Sequence, residues 1–361
     1  MSTTALTIGS VTKPLAPAPG CDCSICPFYM DNPAAVEPIC SGCNSDCGYC
    51  GCAKPLSGSP DACDQCPIRC GSRVDIDTWM TDVGGTLLFD DIDFDDLTLP
   101  AGLPSFVPQV DTTDIAELDH ALGWPAYAMR LRGVFSPITH SIVPGFTDTT
   151  AADAMGLGED QLAILAGYGQ DPLVEAFWSN RFALIEEIAT QQWDLVLAPN
   201  FSVYANFPRA EHLLNFRRNL LIARDMIDAG VPAVPNLYWY RLEDLTRYEE
   251  LLAQVTPAAV AVNLQTFRTD RAWDEMAIPG LTYLAAGFPT DTTLIITGTS
   301  RASRLGQLTA LFPNLVLVSQ NATIYARKHA VMTTTGRQAR PAATVGECFA
   351  DNVSFYAEVL A

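Results

Sequence analysis

Eleven of the chain's twelve cysteines fall between Cys21 and Cys70, and thiolates at that density suit metal ligation. They form three groups: Cys21, Cys23 and Cys26, then Cys40, Cys43, Cys47, Cys50 and Cys52, then Cys63, Cys66 and Cys70. Sulfurs so closely spaced converge on one metal or cluster, whereas disulfide partners need a fixed Cα separation that such short loops rarely allow. A disulfide-stapled module would also need an oxidising compartment. The stretch from Met1 to Gly20 has neither a basic start nor an apolar run of signal-peptide length, so the expectation is a cytoplasmic chain with these eleven thiolates as metal ligands.

Two inorganic centres compete for them. Zinc would close a tetrahedron from two CxxC pairs, such as Cys40 and Cys43 with Cys47 and Cys50. Iron–sulfur clusters take three or four clustered cysteines, often with a following proline, as at Cys26-Pro27 and Cys66-Pro67. No histidine stands nearby to build a mixed zinc site, so a [4Fe–4S] cluster is placed first and zinc is the alternative. The lone Cys348, in the helical run TVGECFADNVSFYAEVLA, reads as a buried small hydrophobe.

Those ligands need elements to hold them. Residues 1–20 read as a loose arm, 21–75 as a cysteine-rich module that metal must help fold, and 76–111 as an acidic, proline-containing connection. Residues 112–361 read as an α/β domain. From Trp193 onward apolar runs alternate with amphipathic helices: WDLVLAPNFSVY, VPAVPNLYWY, AAVAVNLQTF, TLIITGTS and LVLVSQNA each precede one. Continuous apolar strands are covered on both faces, which calls for a parallel sheet with crossover helices. Upstream, AYAMRLRGVF reads as another strand and DPLVEAFWSNRFALIEEIATQQ as one long helix. No glycine-rich phosphate loop follows any strand, so the pattern predicts a TIM-type full or partial (β/α) barrel with an N-terminal cysteine-rich metal-binding segment.

In such a barrel the carboxyl ends of the strands form the site. Here they carry amides and hydroxyls: Asn200 and Ser202, Asn236, Asn263 and Gln265, Thr297 and Ser300, then Ser319, Gln320 and Asn321. Amides donate and accept at once, which suits a neutral small molecule or a nucleobase-like group, and Asn200, Asn236, Asn263, Gln265 and Asn321 are the expected substrate contacts. They cannot transfer protons with a tuned pKa. The four histidines, His120, His140, His212 and His329, define no triad; His140 and His329 are placed near a barrel mouth and His212 is assigned to packing or surface. No catalytic residue is assigned, and a cofactor is expected to carry the hard step.

Charge excludes one class of partner. The formal net charge of −20 repels phosphate backbones, so broad nucleic-acid binding is not expected, and no apolar run is long enough to cross a bilayer. Arg209, Arg217, Arg218 and Arg224 share one helical pattern and read as a solvated face beside Glu211 and Asp225. Asp90, Asp91, Asp93, Asp95 and Asp96 lack the glycine and glutamate of a calcium loop and read as a solvated acidic turn.

Two resemblances add to this reading. The triplet Cys43, Cys47 and Cys50, with Tyr49 before its last member, resembles the radical S-adenosylmethionine superfamily. That resemblance implies a [4Fe–4S] cluster on those three cysteines, S-adenosylmethionine on the open iron, and a cysteine loop that follows the first strand of a partial barrel. The superfamily's Gly-Gly-Glu-like element is to be sought at Gly84-Gly85, but Thr86 follows there instead of an acid. Second, APNFSVYANFPRAEHLLNFRR through VPNLYWY to VAVNLQTF resembles an uncharacterised bacterial and phage domain family, which implies a parallel α/β domain and no assigned catalytic residue. Two functions follow as expectations: an iron–sulfur enzyme acting at an amide-lined barrel mouth, or a non-catalytic zinc-binding recognition or assembly protein of a phage or mobile element.

Overall fold

A computed structural model describes residues 29–35, 37–39, 76–111, 115, 118, 123–203, 209–289 and 291–361. All eleven clustered cysteines lie outside the described residues, as does His120. The chain divides into two compact units, one gathering residues up to Asp91 with Phe201–Leu221 and Tyr238–Tyr248, the other comprising Ile92–Asn200, Ile222–Leu237 and Glu249–Ala361.

The second unit is a barrel. Its parallel strands are β1 (Phe106–Val110), β2 (Ala126–Arg130), β3 (Leu162–Ala166), β4 (Leu195–Leu197), β5 (Ala233–Val234 with Asn236–Leu237), β6 (Ala259–Asn263), β7 (Thr293–Thr297) and β8 (Leu315–Ser319). β1 pairs with β8, and β5 closes the ring: Ala233 and Val234 partner β4, while Asn236 and Leu237 partner β6. Pro235 separates the two halves of β5, where its missing N–H costs no ladder bond, and its carbonyl accepts from Ala261 at 2.8 Å. Following Cα partners around the ring from Gln109, with the register extended past the strand ends, returns to position 101, eight residues before the start. A displacement of that size over eight strands is the shear of a TIM barrel.

Helices cross over between the strands: Asp171–Ser179 and Arg181–Thr190 after β3, the end of Arg209–Asp228 after β4, the end of Leu245–Gln254 after β5, Ile278–Gly287 after β6 and Ala302–Leu311 after β7. Asn321–Ala326 and the capped helix Val345–Leu360 follow β8; Thr344 and Glu347 cap the latter reciprocally, and Cys348 is fully buried in it. Gly230, at φ 81°, stops the helix after β4 where the sequence places its end.

Three expectations change. The barrel starts at Phe106, inside the stretch read as a connection, because FVPQV is a short strand whose proline hid it. LAILA, unassigned from sequence, is β3. The single long helix is two, broken at Asn180, whose side chain caps the carbonyl of Ala176 at 2.8 Å.

In the first unit the arginines correct another expectation. Arg209, Arg217 and Arg218 are buried, not solvated; Arg224, which belongs to the second unit, is partly exposed and pairs there with Asp93 and Asp228. Arg217 forks the Asp91 carboxylate through two bonds of 2.6 Å and donates to the carbonyls of Val83 and Leu88. Asp91 and Asp93 therefore tie down the acidic run, which is more than a solvated turn. A Cβ on Gly84 would stand 3.1 Å from the Arg217 guanidinium, and Gly84 and Gly85 both take positive φ in that turn. Arg209 pairs with fully buried Asp244, which also accepts the N–H groups of Tyr240 and Arg241. Arg218 lies 3.9 Å over Phe201, and Arg247 lies 4.5 Å over Phe89. His212 is buried against Tyr240, a packing role.

Candidate functional site

Register decides which strand residues face the barrel interior. Tyr168, two residues past β3, donates from its hydroxyl to Asn236 Oδ1 on β5 at 2.6 Å and comes close to Thr297 on β7. These strands are not neighbours, so the three side chains meet inside the ring. The opposite set faces the helices, as Phe106 confirms by stacking on Tyr356 of the last helix at 4.8 Å. Paired residues of a parallel sheet face the same side, and the inward set therefore includes Gln109, Ala128, Ile164, Leu197, Asn236, Asn263 and Thr297. Two residues beyond Gln109 and Ala128 stand Asp111 and Arg130, which carry that direction to the mouth.

Tyr168 spans the mouth, and Asn236 completes its network by donating to the Ala198 carbonyl at 2.5 Å. Burial pushes the Tyr168 phenol well above its ordinary value, and the nearby Thr297 hydroxyl offsets only part of that rise. No hydrogen bond of Thr297 Oγ1 reaches ordinary geometry among the described residues. Asn200 Oδ1, after β4, is likewise buried without a donor. Two glycines bring the loops together here: a Cβ on Gly167 would stand 2.3 Å from the Leu197 carbonyl, and one on Gly298 would stand 2.3 Å from the Gln265 nitrogen.

The expected substrate contacts separate at this point. Asn236 is fully buried with both ends of its amide engaged. Asn263 points inward but folds its oxygen onto the Gln265 N–H at 3.0 Å, and Gln265 is exposed. Asn321 donates to Ser300 Oγ, joining the loops after β7 and β8. Ser300 does not take the N-cap of the following helix, a position that Arg301 occupies. Asn200 is the expected contact whose acceptor is left open. Of the histidines, His140 is exposed in the Phe135–Ile142 hairpin, and His329 is exposed with Nδ1 at 2.8 Å from the Ala343 carbonyl.

Sequence reasoning missed Tyr168, Asp111 and Arg130. The Gly-Tyr-Gly that ends the apolar run LAILAGYG is a usable signal for the first. Asp111 and Arg130 make an ion pair of 2.6 Å, with their side chains 34% and 47% exposed, and only the register shows that they share a direction. No cluster of three or more metal-ligating side chains occurs among the described residues. No helix among them is long and apolar enough to cross a membrane.

Residues 140–284 match the model of a domain family described as a domain of unknown function, DUF4417. The matched range contains the Asn-Phe-Ser-Val-Tyr segment and the strands from β3 to β6. No curated protein matches the sequence. Among solved structures, "Native KDPGal structure" is 14% identical, covering 73% of this chain and 99% of that one at a TM-score of 0.39. A 4-hydroxy-2-oxoglutarate aldolase/2-deydro-3-deoxyphosphogluconate aldolase from TTHB1 is 15% identical, covering 71% and 94% at a TM-score of 0.38.

Proposed function

We propose that the protein is an iron–sulfur enzyme that binds a small, uncharged, hydrogen-bonding substrate at the barrel mouth. The observation that carries the binding half is the pair of buried atoms Asn200 Oδ1 and Thr297 Oγ1, neither of which makes a hydrogen bond of ordinary geometry among the described residues. A buried amide oxygen without a donor costs free energy until an N–H or O–H reaches it, and it repels an anion. Tyr168 remains a neutral hydroxyl, able to orient a ligand by hydrogen bonding and unable to serve as a base near neutral pH. Asp111 is the one carboxylate among the inward strand-end positions described, and Arg130 pairs with it.

The reactive chemistry then falls to the thiolates. Cys43, Cys47 and Cys50 form a donor set suited to a cluster with one open iron, where S-adenosylmethionine is the cofactor that the resemblance implies, and the other eight supply a second centre. The triplet stands ahead of β1, whereas the resemblance implies a loop after the first barrel strand.

Iron, zinc and sulfide counted per chain after anaerobic purification test this reading. Brown protein containing iron and sulfide is expected, and Cys47→Ala should lose iron while the barrel's circular dichroism is unchanged. Colourless protein with zinc and no sulfide would replace the enzyme with the non-catalytic recognition reading, which the neutral mouth also suits.

A further inference from the structure

One stretch reverses the charge of the chain. Residues 292–346 hold six of its 21 lysines and arginines and no acid. Arg301 and Arg304 both pair with Asp270, outside the stretch, and Arg340 pairs with Asp351. Arg337 makes no ion pair among the described residues. It lies on an antiparallel hairpin, β9 (Ala330–Thr333) and β10 (Gly336–Ala339), between the two helices that follow β8.

The hairpin's backbone bonds have a direction. Bonded and unbonded pairs alternate along an antiparallel ladder. The Arg340 N–H donates to the His329 carbonyl at 2.7 Å, so Val331 with Gln338 and Thr333 with Gly336 also bond across the hairpin. Ala330, Met332, Arg337 and Ala339 therefore turn their backbone groups outward. On the β9 side Asn352 of the last helix meets them, accepting from the Met332 N–H at 2.7 Å and donating to the Ala330 carbonyl at 3.0 Å. On the β10 side no described group does, and Arg337, Gln338 and Ala339 are exposed. The N–H and C=O groups of Arg337 and Ala339 form a free edge with the spacing of an added strand.

Charge selects the occupant. A second copy of this edge would bring like charges together, which opposes pairing. An acidic strand instead sets carboxylates beside Arg337 and Arg340. The acids on the neighbouring helix do not replace it, since Asp351 is shared with Arg340 alone and Glu347 is bound in the Thr344 cap. We propose that the β10 edge captures an extended acidic segment of a partner protein by strand addition, with Arg337 and Ala339 supplying the backbone bonds and Arg337 and Arg340 the charge. This interaction is separate from the barrel mouth and stands without the substrate reading.

The test follows the fluorescence anisotropy of a short labelled peptide of alternating threonine and glutamate as the full anaerobically purified chain is added. Its threonine–lysine counterpart, its fully N-methylated form and an oligothymidylate of equal length run beside it. Binding of the unmethylated acidic peptide alone is expected, with slower amide exchange at Arg337 and Ala339. Arg337→Glu should weaken it about tenfold, and so should Ala339→Pro, which removes an outward N–H without touching the ladder. Circular dichroism should be unchanged in both, and the exchange measurement tests the edge without any variant. No binding, equal binding of the N-methylated or lysine peptide, preference for the oligonucleotide, or unchanged exchange at Arg337 and Ala339 would overturn the proposal.

Discussion

The two units differ in the buried polarity they carry. In the first, full charges are taken out of water and locked: Arg209 with Asp244, and Arg217 with Asp91 and two carbonyls. In the barrel, Arg181 and Arg304 are buried with partners too, but three neutral atoms, Asn200 Oδ1, Thr297 Oγ1 and Tyr356 Oη, are buried without a hydrogen bond of ordinary geometry among the described residues. A charge cannot be buried unpaired without a penalty of several kcal/mol, roughly, so its partners are structural by necessity. A neutral hydroxyl or amide costs less to leave open, so it can be held ready for a ligand. Buried charge holds the fold, and at the barrel mouth open neutral polarity is what a ligand can meet.

The largest expected effect lies on the charged side. Asp244→Ala should cost about 3–5 kcal/mol in urea unfolding, since it strands the Arg209 guanidinium. The same pair predicts a pH dependence. Burial pushes the Asp244 carboxyl up, but Arg209 and the N–H groups of Tyr240 and Arg241 outweigh it and hold it below the usual value. A depressed carboxyl stabilises the fold above its unfolded pKa, and that stability is lost as pH falls through the folded value. Wild type should therefore lose stability in acid more steeply than Asp244→Ala, and parallel curves would break the link.

Next comes the mouth's backbone. Gly298→Ala should cost roughly 3 kcal/mol, because φ is 79° and the added carbon meets the Gln265 backbone. Gly85→Ala, at φ 81° with open space around it, should cost about 1 kcal/mol. Equal losses from the two would show that close approach at the mouth adds nothing to the strain of conformation.

Smaller still, Tyr168→Phe should cost about 1–2 kcal/mol by leaving Asn236 Oδ1 without its donor. Thr297→Val should change stability by no more than about 1 kcal/mol, since no hydrogen bond of ordinary geometry among the described residues holds that buried hydroxyl, while ligand affinity falls. A clear loss of stability in Thr297→Val would erase the contrast between the units.

Much of the barrel was legible. The apolar runs from β4 to β8 and the helices between them follow from composition and period alone, because each strand is covered on both faces. FVPQV escaped because a proline interrupts a five-residue strand, and LAILA because it is short and stands ahead of the clear alternation. The arginines on Arg209–Asp228 misled because a helical pattern does not say what surrounds it. Around this helix's first part almost every face is buried, so charge that looked solvated is paired inside. Of the five amides expected at the mouth, sequence could find the positions but not their engagements, since Asn236 and Asn321 are occupied by groups distant in the chain or on another loop and Asn263 by the backbone two residues on.

By itself the sequence determined that apolar strands alternate with helices and that thiolates crowd ahead of them, because those are local facts of residue type and spacing. Which residues face one another across the ring was decided by tertiary structure. Facing depends on parity, parity depends on register, and the register is fixed only when β5 pairs on both sides of Pro235 and the barrel closes.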